Sequence, residues 1–179
     1  FAGAGGFSQG FIKAGFKIVC AVEFDKSIAQ TYSLNHPNVK VFVDDIKNII
    51  HKSSLRHISS DVIIGGPPCQ GFSMAGARIR KDFVSDERNY LFKYYLKTVS
   101  EKKPKVFVME NVPGLLTMCK GNILNEIITS FSKIGYTLYY KILNSSDFGI
   151  PQNRERIVFF GVLNKTIDLE SIFKLTETK

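Results

Sequence analysis

The chain has 179 residues, enough for one domain with a buried core of its own. Its 44% hydrophobic and 22% charged residues exclude a disordered chain, and no apolar run approaches the roughly 20 residues of a membrane-spanning helix. Lysine and arginine number 24 against 16 for aspartate and glutamate, so the net charge of +8 favours a polyanionic partner. Because no apolar run is long enough to span a bilayer, we expect no membrane partner.

The elements predicted in chain order alternate between short β-rich strands and longer amphipathic helices. Strands are predicted at 17–24, 61–64 and 105–109, and helices at 27–34, 87–100 and 122–134. Two further strands, at 136–143 and 156–163, follow without a helix between them and can therefore pair antiparallel. The pattern predicts an α/β fold over residues 1–165, a mostly parallel sheet with a late antiparallel hairpin, and a polar tail over residues 166–179.

A glycine-rich turn, Phe1-Ala2-Gly3-Ala4-Gly5-Gly6-Phe7, opens the first helix. Glycines let the backbone approach a ligand closely and adopt positive φ angles. A dinucleotide fingerprint is not met, because Ser8 stands where its third glycine would fall. Ligands bind at the carboxyl ends of parallel strands, where Glu23 and Phe24 could contact a ribose and an adenine, and Asp45 an amine. The alternative is an ordinary tight turn with solvated acids.

The segment from Gly65 to Ser73, GGPPCQGFS, places a thiol in a rigid loop at the end of a predicted strand. Two prolines fix φ ahead of Cys69, which suits a nucleophile better than a packing residue. Cys20 lies inside an apolar strand and is predicted to be a core residue, while Cys119 has no activating neighbour in the sequence.

The three cysteines are widely spaced, and the three histidines lie apart from them. This spacing argues against a zinc site and against a disulfide framework. We therefore expect no metal. The cysteine usage, together with the lack of a visible secretory leader, predicts an intracellular location, in the cytoplasm or nucleoid of a prokaryote or in a eukaryotic nucleus.

Four motifs occur in a fixed order along the chain. They are the turn F-A-G-A-G-G at its start, Pro68-Cys69, Glu110-Asn111-Val112, and Q-N-R-E-R at 152–156. They resemble the F-x-G-x-G-G, Pro-Cys, E-N-V and Q-x-R-x-R motifs of the cytosine-C5 DNA methyltransferases. The resemblance covers residues 1–163 and implies a Rossmann-like, S-adenosylmethionine-dependent methyltransferase fold. It also implies that the substrate is cytosine C5 in double-stranded DNA.

The resemblance implies a role for each catalytic residue. Cys69 would add to C6 of a cytosine flipped out of the duplex. Glu110, if its site keeps it protonated, would donate a proton or hydrogen bond to N3. Arg156 would contact O2, while Arg154 would help orient the cysteine loop or a phosphate. The alternatives are a strand-end glutamate and an exposed basic turn. The base that removes the C5 proton, reached through water, is not identified by the sequence.

Cofactor and DNA contacts follow from the same resemblance. Aromatic rings would flank the adenine, acids would accept from the ribose and the adenine edge, and the glycine turn would approach the methionine part. The residues expected at the cofactor are Phe1, Gly3, Gly5, Gly6, Glu23, Phe24, Asp45, Ile46, Pro68 and Leu91. Those expected at the DNA are Gln70, Ser73, Arg78 and Arg80, the arginines in a 71–85 loop that could close over the flipped base.

The chain also departs from the family. A strand normally precedes the glycine turn, and a target-recognition region with further motifs normally follows Q-x-R-x-R. We therefore expect a catalytic-core fragment, complemented by a segment or chain that reads the DNA sequence. Three other functions stay open: an RNA cytosine-C5 methyltransferase, which Gly71 disfavours, a non-catalytic binding module, and a nicotinamide oxidoreductase. The last would leave Cys69, Glu110 and the arginine pair without a role.

Overall fold

A computed structural model describes residues 1–50, 52, 55, 57–68 and 91–168 of the chain. Most of the predicted polar tail lies outside these residues. So do five of the predicted site residues: Cys69, Gln70, Ser73, Arg78 and Arg80. Their predicted roles stay predictions.

Strands and helices alternate along the described residues, which confirms the predicted α/β class. The strands are β1 (Cys20–Glu23), β2 (Lys40–Val43), β3 (Val62–Gly65), β4 (Val106–Asn111), β5 (Tyr136–Asn144) and β6 (Glu155–Leu163). The helices are α1 (Gly6–Lys13), α2 (Lys26–Asn35), α3 (Ile46–Ile49), α4 (Leu91–Lys102) and α5 (Asn122–Lys133). Short 3₁₀ turns lie at Pro113–Leu116, Met118–Gly121 and Ser145–Phe148.

The first strand is shorter than predicted: the sequence predicts a start at Lys17, and the strand begins at Cys20. A strand requires a hydrogen-bonded neighbour along its length. For β1 that neighbour is β2, which runs parallel to it from Cys20↔Lys40 to Glu23↔Val43. The residues before Cys20 have no partner in this ladder, so they stay outside the strand despite their apolar pattern.

A four-stranded sheet in the order β3-β4-β6-β5 carries the rest of the strands. β3 and β4 are parallel, whereas β6 is antiparallel to both β4 and β5. Three strands of this sheet therefore run one way and β6 runs the other. This arrangement confirms the mostly parallel sheet and the late hairpin that the sequence predicts.

The first residue of the chain links the two sheets. The amino group of Phe1 donates to the Val22 carbonyl of β1 at 2.8 Å. On its other side, the Phe1 carbonyl accepts from the Gly66 amide, just after β3, at 3.4 Å. The glycine turn that follows Phe1 therefore begins at the carboxyl ends of β1 and β3.

The core lies between the four-stranded sheet and the helices α4 and α5. Phe107 of β4 stacks on Phe131 of α5 with ring centroids 4.2 Å apart, and both rings are fully buried. A Cβ on Gly161 of β6 would lie 1.9 Å from the Phe107 ring, so the ring fits because residue 161 is a glycine. Each such buried side chain stabilises the fold by about 1.5–3 kcal/mol.

Two helix ends carry recognisable capping residues. α2 begins after Asp25, whose carboxylate accepts from the Ile28 amide at 2.9 Å and caps the helix. α5 ends at Lys133, and Gly135 follows with φ of 90°, as expected for a glycine just beyond a helix. No helix within the described ranges combines the length and the apolar character needed to cross a membrane.

Candidate active site

The glycine turn ahead of α1 has the open geometry expected of a ligand-binding turn. Gly3 and Gly5 have φ angles of 60° and 93°, which side chains other than glycine rarely adopt. A Cβ at Gly3 or at Gly6 would meet no atom within 4 Å. The turn therefore exposes bare backbone at the carboxyl ends of the strands.

The carboxyl end of α2 holds this turn from the other side. Asn35 donates from Nδ2 to the Ala4 carbonyl at 2.8 Å, and His36 Nε2 lies 2.9 Å from the Gly5 carbonyl. His36 is 5% exposed, so its contact with the turn is buried. Neither residue is among those predicted for the site, and the Asn-His pair just before Pro37, at the end of a predicted helix, is the sequence signal that points to them.

The Glu23 carboxylate fixes the turn to the end of β1. Its Oε2 accepts from the Gly3 amide at 2.9 Å, and its Oε1 accepts from the amides of Phe24 and Asp25 at 2.9 and 3.2 Å. Glu23 is nearly buried, whereas the neighbouring Phe24 ring is 71% exposed. Glu23 is therefore a structural anchor of the turn, and Phe24 presents a free aromatic face beside it.

Asp45 and Ile46 lie next to this anchor at the start of α3. The Asp44 amide donates to the Glu23 carbonyl at 3.0 Å, which places the ends of β1 and β2 side by side. The Asp45 carboxylate accepts from the Lys47 amide at 2.9 Å and caps α3. One carboxylate oxygen of Asp45 thus has a structural partner.

An ion pair joins two strands of the larger sheet at the same edge. Arg156 Nε lies 2.7 Å from Glu110 Oε1 in an ion pair, and the two side chains are 27% and 33% exposed. Arg156 Nη1 also donates to the Glu155 carbonyl at 2.7 Å, which fixes the guanidinium plane. A carboxylate and a guanidinium that are each about one-third exposed can together contact a planar, hydrogen-bonding ligand.

The loop that leads to the predicted nucleophile is tied to Glu110 and to the residue after it. Asn111 is buried and donates from Nδ2 to the Pro67 carbonyl at 3.0 Å. A Cβ on Gly66 would lie 2.9 Å from Glu110 Oε2, so glycine at 66 lets the carboxylate approach the loop. Pro68, the last described residue before Cys69, is therefore held close to Glu110.

The other two cysteines lie outside the Pro67 loop and differ from each other in exposure. Cys20, at the start of β1, is half-buried, so it is less buried than the core residue that the sequence predicts. Burial raises the pKa of its thiol. Cys119 is exposed in a turn far along the chain from the Pro67 loop. In the ranges that the structure describes, no three His, Cys, Asp or Glu side chains form a group that could hold a metal ion.

A family model for the C-5 cytosine-specific DNA methylases matches residues 1–179 of the chain. The chain belongs to this family. Type II methyltransferase M1.HphI from Haemophilus parahaemolyticus is 48% identical over 164 residues, which cover 90% of the chain and 44% of that protein. Type II methyltransferase M.AquIA from a Picosynechococcus species is 41% identical over 174 residues, or 90% of the chain and 69% of that protein.

Solved structures show the same fold. An Escherichia coli prophage protein described as a DNA modification methyltransferase aligns with a TM-score of 0.79 at 34% identity, covering 95% of the chain and 48% of that protein. Schizosaccharomyces pombe Dnmt2 aligns with a TM-score of 0.74 and shows the fold alone, because its identity is 24%. It covers 100% of the chain, which spans 55% of that protein. The chain spans about half the length of most of these relatives.

Three of the four motifs of this member of the C-5 cytosine-specific DNA methylase family are joined by a continuous series of contacts. The Phe1 carbonyl of the glycine turn accepts from Gly66, and Gly66 lies against Glu110 of the E-N-V motif. Glu110 pairs with Arg156 of the Q-x-R-x-R motif. The fourth motif residue, Cys69, lies outside the described residues but follows Pro68 directly.

Two predicted site residues of this family member stand apart from the Glu110–Arg156 pair. Arg154 has an exposed side chain, and its hydrogen bonds run through its backbone to Asn144 and Ser145. Leu91 is half-buried at the start of α4. The predicted contact of Arg154 with the cysteine loop or a phosphate, and that of Leu91 with the cofactor, remain proposals.

Proposed function

We propose that the natural protein carrying this chain transfers a methyl group from S-adenosylmethionine to C5 of cytosine in double-stranded DNA. The observation that carries this proposal is the Glu110–Arg156 ion pair, 2.7 Å long, beside the Pro67 loop that leads to Cys69. Membership of the C-5 cytosine-specific DNA methylase family supports the same activity.

Cytosine C5 is a poor nucleophile, so the reaction needs covalent activation. The Cys69 thiolate adds to C6, and the electron pair of the C5–C6 double bond becomes available at C5. C5 would take the methyl group from the sulfonium sulfur of bound S-adenosylmethionine, which would leave as S-adenosylhomocysteine, and a base reached through water would then take the C5 proton. The returning electron pair re-forms the double bond and expels Cys69, which restores the free enzyme.

Glu110 and Arg156 stabilise the ring while Cys69 is attached. Negative charge develops toward N3 and O2 when the thiolate adds to C6. A hydrogen bond or proton from Glu110 at N3 and a hydrogen bond from Arg156 at O2 would neutralise that charge. The step requires the protonated form of Glu110 in place of the ion-paired carboxylate, because a carboxylate can only accept. The two side chains are one-third exposed or less, and they already share one orientation through their ion pair.

The residues at the glycine turn fit S-adenosylmethionine, which supplies an electrophilic methyl group on a sulfonium sulfur when bound. Gly3 and Gly6 leave open space that side chains would fill, so a ligand can lie against the backbone there. The exposed Phe24 ring offers a stacking face for adenine, and Phe1 is proposed to flank the adenine as well. Glu23 and Asp45 are proposed to accept from the ribose and the adenine edge, and Ile46, Pro68 and Leu91 are proposed to line the same site.

DNA binding completes the proposal. The target carbon is inaccessible in a stacked duplex, so the base must leave the stack to meet Cys69. Gln70, Ser73, Arg78 and Arg80, which follow Cys69, are proposed to contact the displaced nucleotide and its phosphates. Recognition of the DNA sequence is proposed to reside in a complementing segment or chain.

The test is transfer of tritiated methyl from S-adenosylmethionine by the natural protein. Mixed-sequence duplex DNA is the substrate, with transfer RNA and a Cys69→Ala variant in parallel. We expect label on DNA that disappears in the variant. Label confined to RNA would overturn the substrate, and label that persists in Cys69→Ala would overturn the mechanism.

A further inference from the structure

Three side chains at the carboxyl end of α2 contact the glycine turn and the first turn of α1. The Tyr32 hydroxyl donates to Ser8 Oγ at 2.8 Å, Asn35 Nδ2 donates to the Ala4 carbonyl, and His36 Nε2 contacts the Gly5 carbonyl. Tyr32 and His36 pack on each other with ring centroids 4.7 Å apart. We call these three side chains the α2 clasp. The clasp contacts the glycine turn at two successive carbonyls and α1 at Ser8.

The contact with the Gly5 carbonyl shows which ring nitrogen of His36 carries a hydrogen. A carbonyl oxygen can only accept, so the Nε2 atom that lies 2.9 Å from it must carry a hydrogen. A Cβ on Gly5 would lie 2.3 Å from His36 Nε2, so the ring occupies the space that any other residue at position 5 would need. The Gly5 carbonyl also accepts from the Gln9 amide at 2.8 Å, the first hydrogen bond of α1.

Fixing two successive carbonyls also fixes the amides that share their peptide planes. In a trans peptide the N–H points opposite to the C=O. With the Ala4 and Gly5 carbonyls directed to α2 and α1, the amides of Gly5 and Gly6 point away from both helices. They are among the first amides of α1, which have no acceptor inside the helix.

We propose that Asn35 and His36 are positioning residues for the methyl donor, because they aim the Gly5 and Gly6 amides at its amino-acid part. The inference rests on the proposed cofactor. A carboxylate is the group on that molecule that a helix amino terminus favours. The clasp acts on the amino-acid half of the ligand, whereas Phe24 and Glu23 lie on the side proposed for the nucleoside.

Two ligands separate these halves. S-adenosylhomocysteine carries the amino-acid part, and 5′-methylthioadenosine has the same nucleoside without it. Binding of both to the natural protein is measured by calorimetry for the wild type and for His36→Phe, which keeps a ring beside Tyr32 but removes the donor. Asn35→Ala removes the second donor, and His36→Gln restores a donor at the position of Nε2. Leu34→Ala, at an 83% exposed site on the same helix, is the matched control.

We expect His36→Phe and Asn35→Ala to weaken S-adenosylhomocysteine binding by roughly five- to tenfold and 5′-methylthioadenosine binding by less than about twofold. His36→Gln should recover most of the loss, and Leu34→Ala should change neither affinity. Equal losses for both ligands, or no loss for either, would overturn the positioning role while the cofactor stands. A wild type that binds neither ligand would overturn the proposed cofactor itself, and the inference with it. Thermal melts of each variant confirm that it is folded.

Discussion

Arg156 of β6 pairs with Glu110 of β4 across one strand interface, Nε to Oε1, at 2.7 Å. Glu110 lies directly opposite Val158 in the antiparallel register, and Arg156 is two residues from Val158 on the same face. The pair is therefore the diagonal neighbour that an antiparallel ladder brings within reach of long side chains. Its geometry depends on the register of β6, and a shift of one residue would turn Arg156 to the opposite face.

Removing the acid from this pair should stop the chemical step. We expect Glu110→Gln to lower kcat for methyl transfer by roughly 10²–10⁴-fold, because the amide cannot transfer a proton at N3. Binding of S-adenosylhomocysteine should stay within about twofold, since Glu110 is not at the glycine turn. Glu155→Gln, which changes the exposed carboxylate beside Arg156, is the matched control in a steady-state methylation assay. Equal activity of Glu110→Gln and the control would contradict the role of Glu110.

The two arginines of the Q-x-R-x-R motif should differ in kind. Arg156 pairs with Glu110, so Arg156→Lys should lower kcat by disturbing a fixed, planar contact. Arg154 is exposed and meets the protein through its backbone, so Arg154→Ala should raise KM for DNA and reduce the salt dependence of DNA binding. Kinetics at several salt concentrations separate these effects. A kcat loss without a KM change for Arg154→Ala would place that side chain at the reacting base.

Asn111 should matter for both stability and activity. It is buried and donates to Pro67, while its Oδ1 accepts from the Val112 amide at 2.9 Å. Asn111→Asp keeps the acceptor but loses the donor, and leaves the Pro67 carbonyl facing a carboxylate. We expect the free energy of unfolding to fall by about 1–3 kcal/mol in urea titrations, together with a lower kcat. Unchanged stability and unchanged kcat would show that the Pro67 loop does not need this contact.

Two glycine substitutions should have opposite consequences. Gly6→Ala places a methyl in open space within α1, so stability should hold or rise by up to about 1 kcal/mol while cofactor affinity falls. Gly161→Ala places a methyl group against the Phe107 ring, so the free energy of unfolding should fall by about 3 kcal/mol. Thermal melts and calorimetry test the pair. Undiminished cofactor binding by Gly6→Ala would move the ligand away from this turn.

Two buried tyrosines should make the fold sensitive to alkaline pH. Burial raises the pKa of Tyr95 well above its usual value, and it raises the pKa of Tyr136 to about 12. In the unfolded chain both hydroxyls ionise near pH 10, so above that pH the unfolded state loses protons that the folded state keeps. The free energy of unfolding should therefore fall as pH rises from about 10 toward the folded pKa values.

Phenylalanine variants test this pH dependence. The Tyr95 hydroxyl donates toward the carbonyls of Ile63 and Val108, and the Tyr136 hydroxyl donates to Pro104 at 2.7 Å. Near pH 8, Tyr95→Phe and Tyr136→Phe should each be less stable than the wild type by about 1 kcal/mol. Near pH 11 that difference should shrink in urea titrations. Parallel pH profiles for the wild type and the variants would exclude this ionisation.

The sequence predicts the elements well where local signals are strong. The alternation of strands and helices and the late hairpin both follow from the periodicity of the apolar residues and the order of the elements. The position of Glu110 at a strand end follows too, because a polar residue closes an apolar run. The start of β1 does not follow, because it depends on where β2 begins to pair with it.

The contacts that assemble the site are less accessible to sequence reasoning. His36 reaches Gly5 because α2 packs against the turn, and the sequence alone contains neither the angle nor the distance of that packing. Asn111 belongs to the E-N-V motif and ends β4, whereas its partner Pro67 lies in the loop after β3. The pairing of β3 with β4 brings the two residues together. The roles of Cys69 and of the DNA contacts remain predictions from the motif resemblance.

The central claim is that Cys69 bonds covalently to cytosine C6 in DNA. The most direct measurement uses duplex DNA in which every cytosine is replaced by 5-fluorocytosine, incubated with the natural protein and S-adenosylmethionine. The C5 fluorine cannot leave as a proton does, so the adduct cannot resolve. We predict a protein–DNA complex that survives denaturing electrophoresis in the wild type and is absent in Cys69→Ala. Its absence in a wild type that methylates normal DNA, or its persistence in Cys69→Ala, would contradict the account.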